Sequence, residues 1–281
     1  MSWRLGIRHT TTYTYDTEVT ASYNEARLVP VTNPSQVAMD ARVVTDPPAR
    51  QQTYWDYWGT QVTAFDLHVP HSQLEVVATS VVDTSAEASP PDGVVTWEDL
   101  ADPDLRDKHV ELLGVTDRTA PEDEMLDLAR SIAAQTTPYG AVLEIAALVR
   151  ERVAYVPGST GVRTNAHEAW RLGQGVCQDI AHVTLSMLRS VGVPARYVSG
   201  YLAPKKDAAV GVTVPGESHA WVEAHLGSWW GYDPTNGLPA GERHVVVAHG
   251  RDYGDVTPVK GIYSGGGSQS IAVAVEVTRL A

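Results

Sequence analysis

The single cysteine of the chain, Cys177, stands in the segment GQGVCQD (173–179), where a glycine-containing turn runs into a stretch of helical spacing, Ile180, Thr184, Leu188 and Val191. The first turn of a helix carries backbone N–H groups without intrahelical acceptors and the positive end of the helix dipole. Both favour a thiolate over a thiol, and the same N–H groups can hold an oxyanion. The plainer reading of a lone cysteine is a small buried hydrophobe. Two further segments carry the groups that a thiolate nucleophile needs. SHAWVE (218–223) opens a strand with His219, and WWGYDPTN (229–236) closes one with Asp233. An imidazole can hold the nucleophile's proton, and a carboxylate can fix the imidazole tautomer. Each also has a plain alternative: a core histidine for His219, an Asx-type turn for Asp233.

Strand register separates these readings. Side chains alternate, so His219, Trp221 and Glu223 share a face, as do Trp229, Gly231 and Asp233. If residues 226–228 form a three-residue loop, His225 pairs with Trp229 and Trp221 with Asp233. His219 is then diagonal to Asp233 on one face, roughly 7–8 Å away at Cα. A two-residue loop would put the two on opposite faces. The triad therefore requires an odd-length loop or a bulge.

The elements that must position these groups fall in a clear order. Residues 4–15, 61–69 and 74–82 read as strands separated by turn signals, which predicts an antiparallel β-sandwich over 1–85. SAEASPPDG (85–93) reads as a linker within a loop region spanning 86–120. Helices are predicted from Pro121, over 141–153, after Thr164 as N-cap, and over 177–191. Strands return at 195–202, 219–226, 229–233, 244–248 and 271–278, with a long glycine-rich loop over 250–267. The class is α+β, with a core domain over 121–281.

GVCQDIAH, GVPARYVSGYL, SHAWVEA and GYDPTNG, in that order, resemble the core of the transglutaminase-like superfamily, and of its bacterial branch in particular. GRDYGDVTPVKGIYSGG, HTTTYTY, RLVP and PHSQLEVVA resemble the same branch, whose β-sandwich domain precedes the core. The resemblance implies a papain/transglutaminase-like core, with the cysteine-bearing helix packed on an antiparallel sheet. It implies Cys177 as nucleophile, His219 as general base and acid, and Asp233 as the orienting carboxylate. It implies acyl transfer or hydrolysis at a glutamine carboxamide or peptide bond through a thioester, on a peptide or protein substrate, with a primary amine as acceptor where transfer occurs. Animal transglutaminases carry Gln before the nucleophile, where this chain has Val176; Gly59-Thr60 stands where the branch tends to have Gly-Asn. No calcium loop with spaced carboxylates is evident. Candidates for a second oxyanion donor are Tyr155, Gln174 and Gln178. The alternative is a non-catalytic interaction module on the same fold, which needs no reactive thiol.

Composition narrows the field further. With 281 residues and 43% hydrophobic ones, the chain can form one large or two ordinary packed domains. A formal net charge of −13 argues against nucleic acid or an anionic membrane as partner. One cysteine permits no intramolecular disulfide, and the N-terminus shows no secretory h-region, so a cytoplasmic location is expected. No stretch has the roughly 18 apolar residues of a membrane span. CxxC, HExxH and P-loop motifs are absent, so no metal and no cofactor are expected. His182 should lie about 140° round the helix from Cys177 and play a structural part. His225 is placed towards the strand rim. Asp252, Asp255 and the 265–267 glycines are read as turn residues, and the tryptophans mostly as core.

Overall fold

The Thr-, Tyr- and Ile-rich start of the chain forms one 24-residue strand, β1 (Trp3–Ala26). Trp3, Leu5, Ile7, His9 and Thr11 are buried at alternate positions along it. The computed structural model describes residues 2–85, 91, 93–203 and 209–281. β2 (Gln36–Asp46), β3 (Gln51–Trp55), β4 (Gln61–Leu67) and β5 (His71–Thr84) follow. The first part of β1 pairs antiparallel with β5 (Leu5↔Val82), and its last part with β4 (Asn24↔Phe65). β2 flanks β5 and β3 flanks β4. The layers sharing β1 enclose Tyr15, Val19, Leu28, Phe65, Leu74 and Val76. β2 and β3 were not anticipated from the sequence. Their side chains are mostly exposed or half-buried, so they lack a strong apolar alternation.

The expected loop region 86–120 contains three short helices, α1 (Trp97–Leu100), α2 (Pro103–Lys108) and α3 (Val110–Leu113). Residues 86–90 and 92, within the expected linker, lie outside the described residues. Thr96 and Asp99 cap α1 reciprocally, and Asp102 caps α2 with Pro103 at its first position. α4 (Asp123–Ala133), α5 (Pro138–Arg152), β6 (Ala154–Tyr155), α6 (Ala166–Leu172), β7 (Gln174–Gly175) and α7 (Cys177–Ser190) come next. The cap of α6 is Asn165 rather than Thr164. Asn165 Oδ1 accepts the Glu168 N–H at 3.0 Å, while the Thr164 hydroxyl accepts the Gly161 N–H at 3.2 Å. α6 stops at Gly173, whose φ of +64° suits a residue without Cβ.

α7 was expected to bury one stripe; instead every residue from Gln178 to Arg189 is buried. It is a central helix, packed by α4, α5 and α6 and by the sheet that follows. Some of its polar groups are paired, Thr184 Oγ1 donating to Ile180 O and the Arg189 guanidinium to the carbonyls of Ala195 and Arg251, while Gln178 Nε2, Asp179 Oδ1, His182 Nδ1 and Ser186 Oγ are buried without a partner among the described residues. Burial pushes Arg189 down to about 10.

The remaining elements are β8 (Ala195–Leu202), β9 (Thr213–His225), β10 (Trp229–Asp233), β11 (Leu238–Pro239), β12 (His244–Gly250), α8 (Tyr253–Val256), β13 (Val259–Gly265) and β14 (Gln269–Arg279). β12, β8, β9, β10 and β11 lie side by side in that order, all antiparallel. Strand pairing divides the chain differently from the sequence reading at its C-terminal end. β13 pairs with the end of β1 (Tyr23↔Ile262) and β14 with its start (Thr11↔Val273). These last strands thus join the N-terminal sheet rather than the core expected to run to residue 281. β14 also pairs with the start of β9 (Val277↔Val214), which links the two halves. The expected loop 250–267 is largely ordered as α8 and β13, with Asp252 capping α8 and Asp255 paired to Arg251. Among the described residues, no helix is long and apolar enough to cross a membrane.

Candidate active site

Cys177 is the first residue of α7 and is partly exposed. Its backbone N–H therefore has no intrahelical acceptor. The turn before it is tied at both ends. Gly175 pairs with Tyr155 in the short parallel bridge β6–β7. The carboxylate of Asp179 accepts the Val176 N–H at 2.8 Å and the Thr160 hydroxyl. A Cβ at position 175 would sit 2.8 Å from the Asp179 Cβ, so the tight approach depends on glycine.

His219 and Asp233 come from the hairpin β9–β10. Trp229 pairs with His225, Trp230 with Ala224 and Tyr232 with Val222, so residues 226–228 form the odd-length loop that the register argument required. Continued by one residue, this register sets Asp233 opposite Trp221 and diagonal to His219. His219 Nε2 donates to Asp233 Oδ2 at 2.8 Å, with the two side chains 3% and 0% exposed. On the other flank His219 pairs with Gly200, where a Cβ would lie 2.0 Å from Val245 O and 2.7 Å from the Trp221 ring.

The Cys177 thiol lies close enough to the His219 ring to act on its charge. With Nε2 given to Asp233, Nδ1 is the nitrogen left to face it. Burial alone would lower the His219 pKa, but the hydrogen bond to Asp233 and the neighbouring Cys177 thiol, with the charges of both, raise it to about 10. Asp233 shows the reverse balance. Burial would raise it, yet hydrogen bonds from His219, His244 and Asn236 and the His219 charge hold it well below the carboxylate range. Its Oδ1 accepts the Thr235 and Asn236 backbone N–H groups at 3.0 and 3.1 Å, and Asn236 Nδ2 donates to Oδ2 at 2.7 Å.

His244 is a site residue that sequence reasoning missed. It opens β12 and directs Nε2 to Asp233 Oδ2 at 3.2 Å, beside the indole of Trp221 at 5.1 Å. It belongs to no motif, and only the folded sheet brings it to Asp233. The ligand atoms of His219, Asp233 and His244 lie within 4.8 Å of one another, a donor set that could hold a cation. Both imidazole nitrogens, however, are already at hydrogen-bond distance from one carboxylate oxygen, and a cation there would have to displace both protons.

The oxyanion candidates differ in placement. Tyr155 is 48% exposed and within electrostatic range of Cys177; burial first, then that neighbour, raises its pKa. Gln178 is buried, with an Nε2 that has no hydrogen-bond partner among the described residues. Gln174 pairs with Ala154 on the β6–β7 bridge. His182 is buried beside Tyr197 and accepts the Tyr253 N–H on Nε2 at 3.1 Å. The His225 ring lies tilted against that of His109, with ring centroids 4.5 Å apart.

A cysteine at a helix N-terminus, facing a histidine and a carboxylate on an antiparallel sheet, is the arrangement of the papain- and transglutaminase-like class. The chain belongs to the transglutaminase-like superfamily, which residues 126–234 match. Residues 5–83 match the bacterial transglutaminase-like N-terminal region. A protein of Mycobacterium leprae (strain TN), itself uncharacterised, is 47% identical over 279 residues, 99% of this chain and 100% of that one. An uncharacterised protein of Mycobacterium tuberculosis (strain ATCC 25618 / H37Rv) is 33% identical, covering 98% of this chain and 92% of its own. The crystal structure of a candidate cysteine protease from Cytophaga hutchinsonii superposes with a TM-score of 0.77 at 23% identity, covering 100% of this chain and 92% of that one. That likeness carries the fold.

Proposed function

We propose that this chain is a cysteine-dependent enzyme that cleaves an amide, either a peptide bond or a glutamine carboxamide, through a thioester. The observation that carries this reading is the buried His219, bonded to Asp233 at 2.8 Å, with the Cys177 thiol at the first position of α7 close enough to act on its charge. The Cys177 thiolate attacks the carbonyl carbon, and the developing oxyanion meets the Cys177 N–H and the donor of Gln178 or Tyr155. The imidazolium of His219 gives its Nδ1 proton to the departing nitrogen as the C–N bond breaks, leaving a thioester. Neutral His219 then takes a proton from water or a primary amine as that nucleophile attacks the thioester. The C–S bond breaks, and thiolate and imidazolium are restored. Cys177 is partly exposed, which gives water a route to the thioester and supports hydrolysis; amine acceptance gives the transfer product instead.

The test is mass spectrometry of peptide and glutamine-amide mixtures incubated with the enzyme and with Cys177→Ala, with and without a primary amine. Cys177-dependent products, and a mass adduct on the cysteine peptide in rapidly quenched samples, are expected. Full activity in the alanine variant, or no product and no adduct from any mixture, would reject the reading.

A further inference from the structure

The N-terminal sandwich does more than precede the core. It grips the strand that delivers His244 to Asp233. The side-chain amide of Gln36, on β2, is 3% exposed and bonds Val246 of β12 as a neighbouring strand would. Gln36 Oε1 accepts the Val246 N–H at 2.8 Å, and Gln36 Nε2 donates to Val246 O at 2.8 Å and to Val31 O at 2.7 Å. Val31 N–H donates to Val246 O at 3.1 Å, and Thr84 Oγ1 to Glu242 O at 2.7 Å. These contacts bracket His244 on both sides along the chain. Those to Val246 fall where the β12–β8 register slips, between Val246 and Ala248, so the strand's own ladder is interrupted there. Val31, Val246, Trp221 and Ala240 pack together against the same spot.

His244 itself has one usable tautomer. Its Nδ1 accepts the Gly241 N–H at 3.2 Å, so the ring proton sits on Nε2 and is donated to Asp233. A ring held this way stays neutral and cannot compete with His219 for the positive charge.

We propose that His244 is a positioning residue for the Asp233 carboxylate, and that Gln36 of the sandwich domain clamps the strand that carries it. The inference rests on the triad reading given above. Its consequence is that the two halves act as one unit: loosening the sandwich contact lets Asp233 turn, and His219 loses its orientation towards Cys177. Misplacement of a catalytic group by about 1 Å can cost on the order of 100-fold.

The test uses the full chain and iodoacetamide, with the rate of Cys177 alkylation followed from about pH 5 to 9, beside thermal unfolding and near-ultraviolet circular dichroism. H244M keeps the volume but removes the donor; H244Q offers an amide N–H near the Nε2 position. The expected result is a rate at about pH 6 some 10-fold lower in H244M and about 3-fold lower in Q36M, with H244Q recovering most of it, all three folded. A folded H244M with the unaltered pH profile, while H219A loses the low-pH reactivity, overturns the positioning role and leaves the triad standing. Should H244M not fold, a folded Q36M with the unaltered profile overturns the clamp. Should the unmodified protein alkylate only at about pH 8–9, as a free thiol does, with H219A no different, the triad reading fails and the inference falls with it.

Discussion

Asp233→Asn tests the site most directly, because the two oxygens of this wholly buried carboxylate have separate sets of donors. Oδ1 takes two backbone N–H groups, from Thr235 and Asn236; Oδ2 takes His219, His244 and Asn236 Nδ2. An asparagine amide has one acceptor and one donor end. With its oxygen towards the histidines, its NH2 faces the two backbone donors; reversed, it faces three side-chain donors. The cheaper orientation still strands two part-buried N–H groups, at up to roughly 1–3 kcal/mol each. A loss of up to roughly 2–6 kcal/mol follows, lowering Tm on the order of 10 °C for a chain of this size. The charge is lost as well, and with it the largest influence holding His219 protonated at neutral pH; burial then favours the neutral ring. An unpaired thiol of ordinary pKa is only about 0.3% thiolate at pH 6. Allowing for the weaker nucleophilicity of a charge-paired thiolate, alkylation at that pH should fall on the order of 10- to 100-fold. Scanning calorimetry and iodoacetamide kinetics read the two effects. A Tm within about 1 °C of the unmodified protein, together with unchanged alkylation at pH 6, would refute the reasoning.

Cys177→Ala should remove all turnover and cysteine adducts while changing stability by less than about 1 kcal/mol, as measured by urea unfolding, since the thiol is partly exposed and caps nothing. Gly200→Ala should cost roughly 3 kcal/mol or more, because its Cβ would meet the backbone oxygen of Val245 at 2.0 Å; a variant as stable as the parent would contradict this packing. Burial lowers His9 to about 4 and His182 to about 3, the latter with Arg118 and Arg189 adding repulsion. Both folded values lie below the unfolded one, so the unfolded chain binds more protons as pH falls through about 6.5 and stability drops from there towards those lower values. Between pH 7.5 and 5 each histidine should account for roughly 2 kcal/mol lost, and His9→Gln should remove its share; equal urea midpoints at the two pH values would exclude this.

Much of the site could be read from the chain alone, and the reason is locality. A cysteine after a glycine-containing turn and before a helix, and a histidine and an aspartate on strands joined by a three-residue loop, have a geometry set by neighbours in sequence. Period-two alternation and the loop length were enough to place His219 diagonal to Asp233. Tertiary structure decided what depends on distant pairings. β13 and β14 return to β1 across most of the chain length, and no local pattern distinguishes that from pairing within the core. The all-round burial of α7 depends on three helices and a sheet that its own residues do not specify. His244 reaches Asp233 only because β12 lies beside β8, two strands from β9, and Gln36 reaches β12 only because the sandwich docks there. A polar side chain in the sequence does not reveal its hydrogen-bond partner. When that partner lies 210 positions away, as Val246 does from Gln36, only the folded chain supplies it.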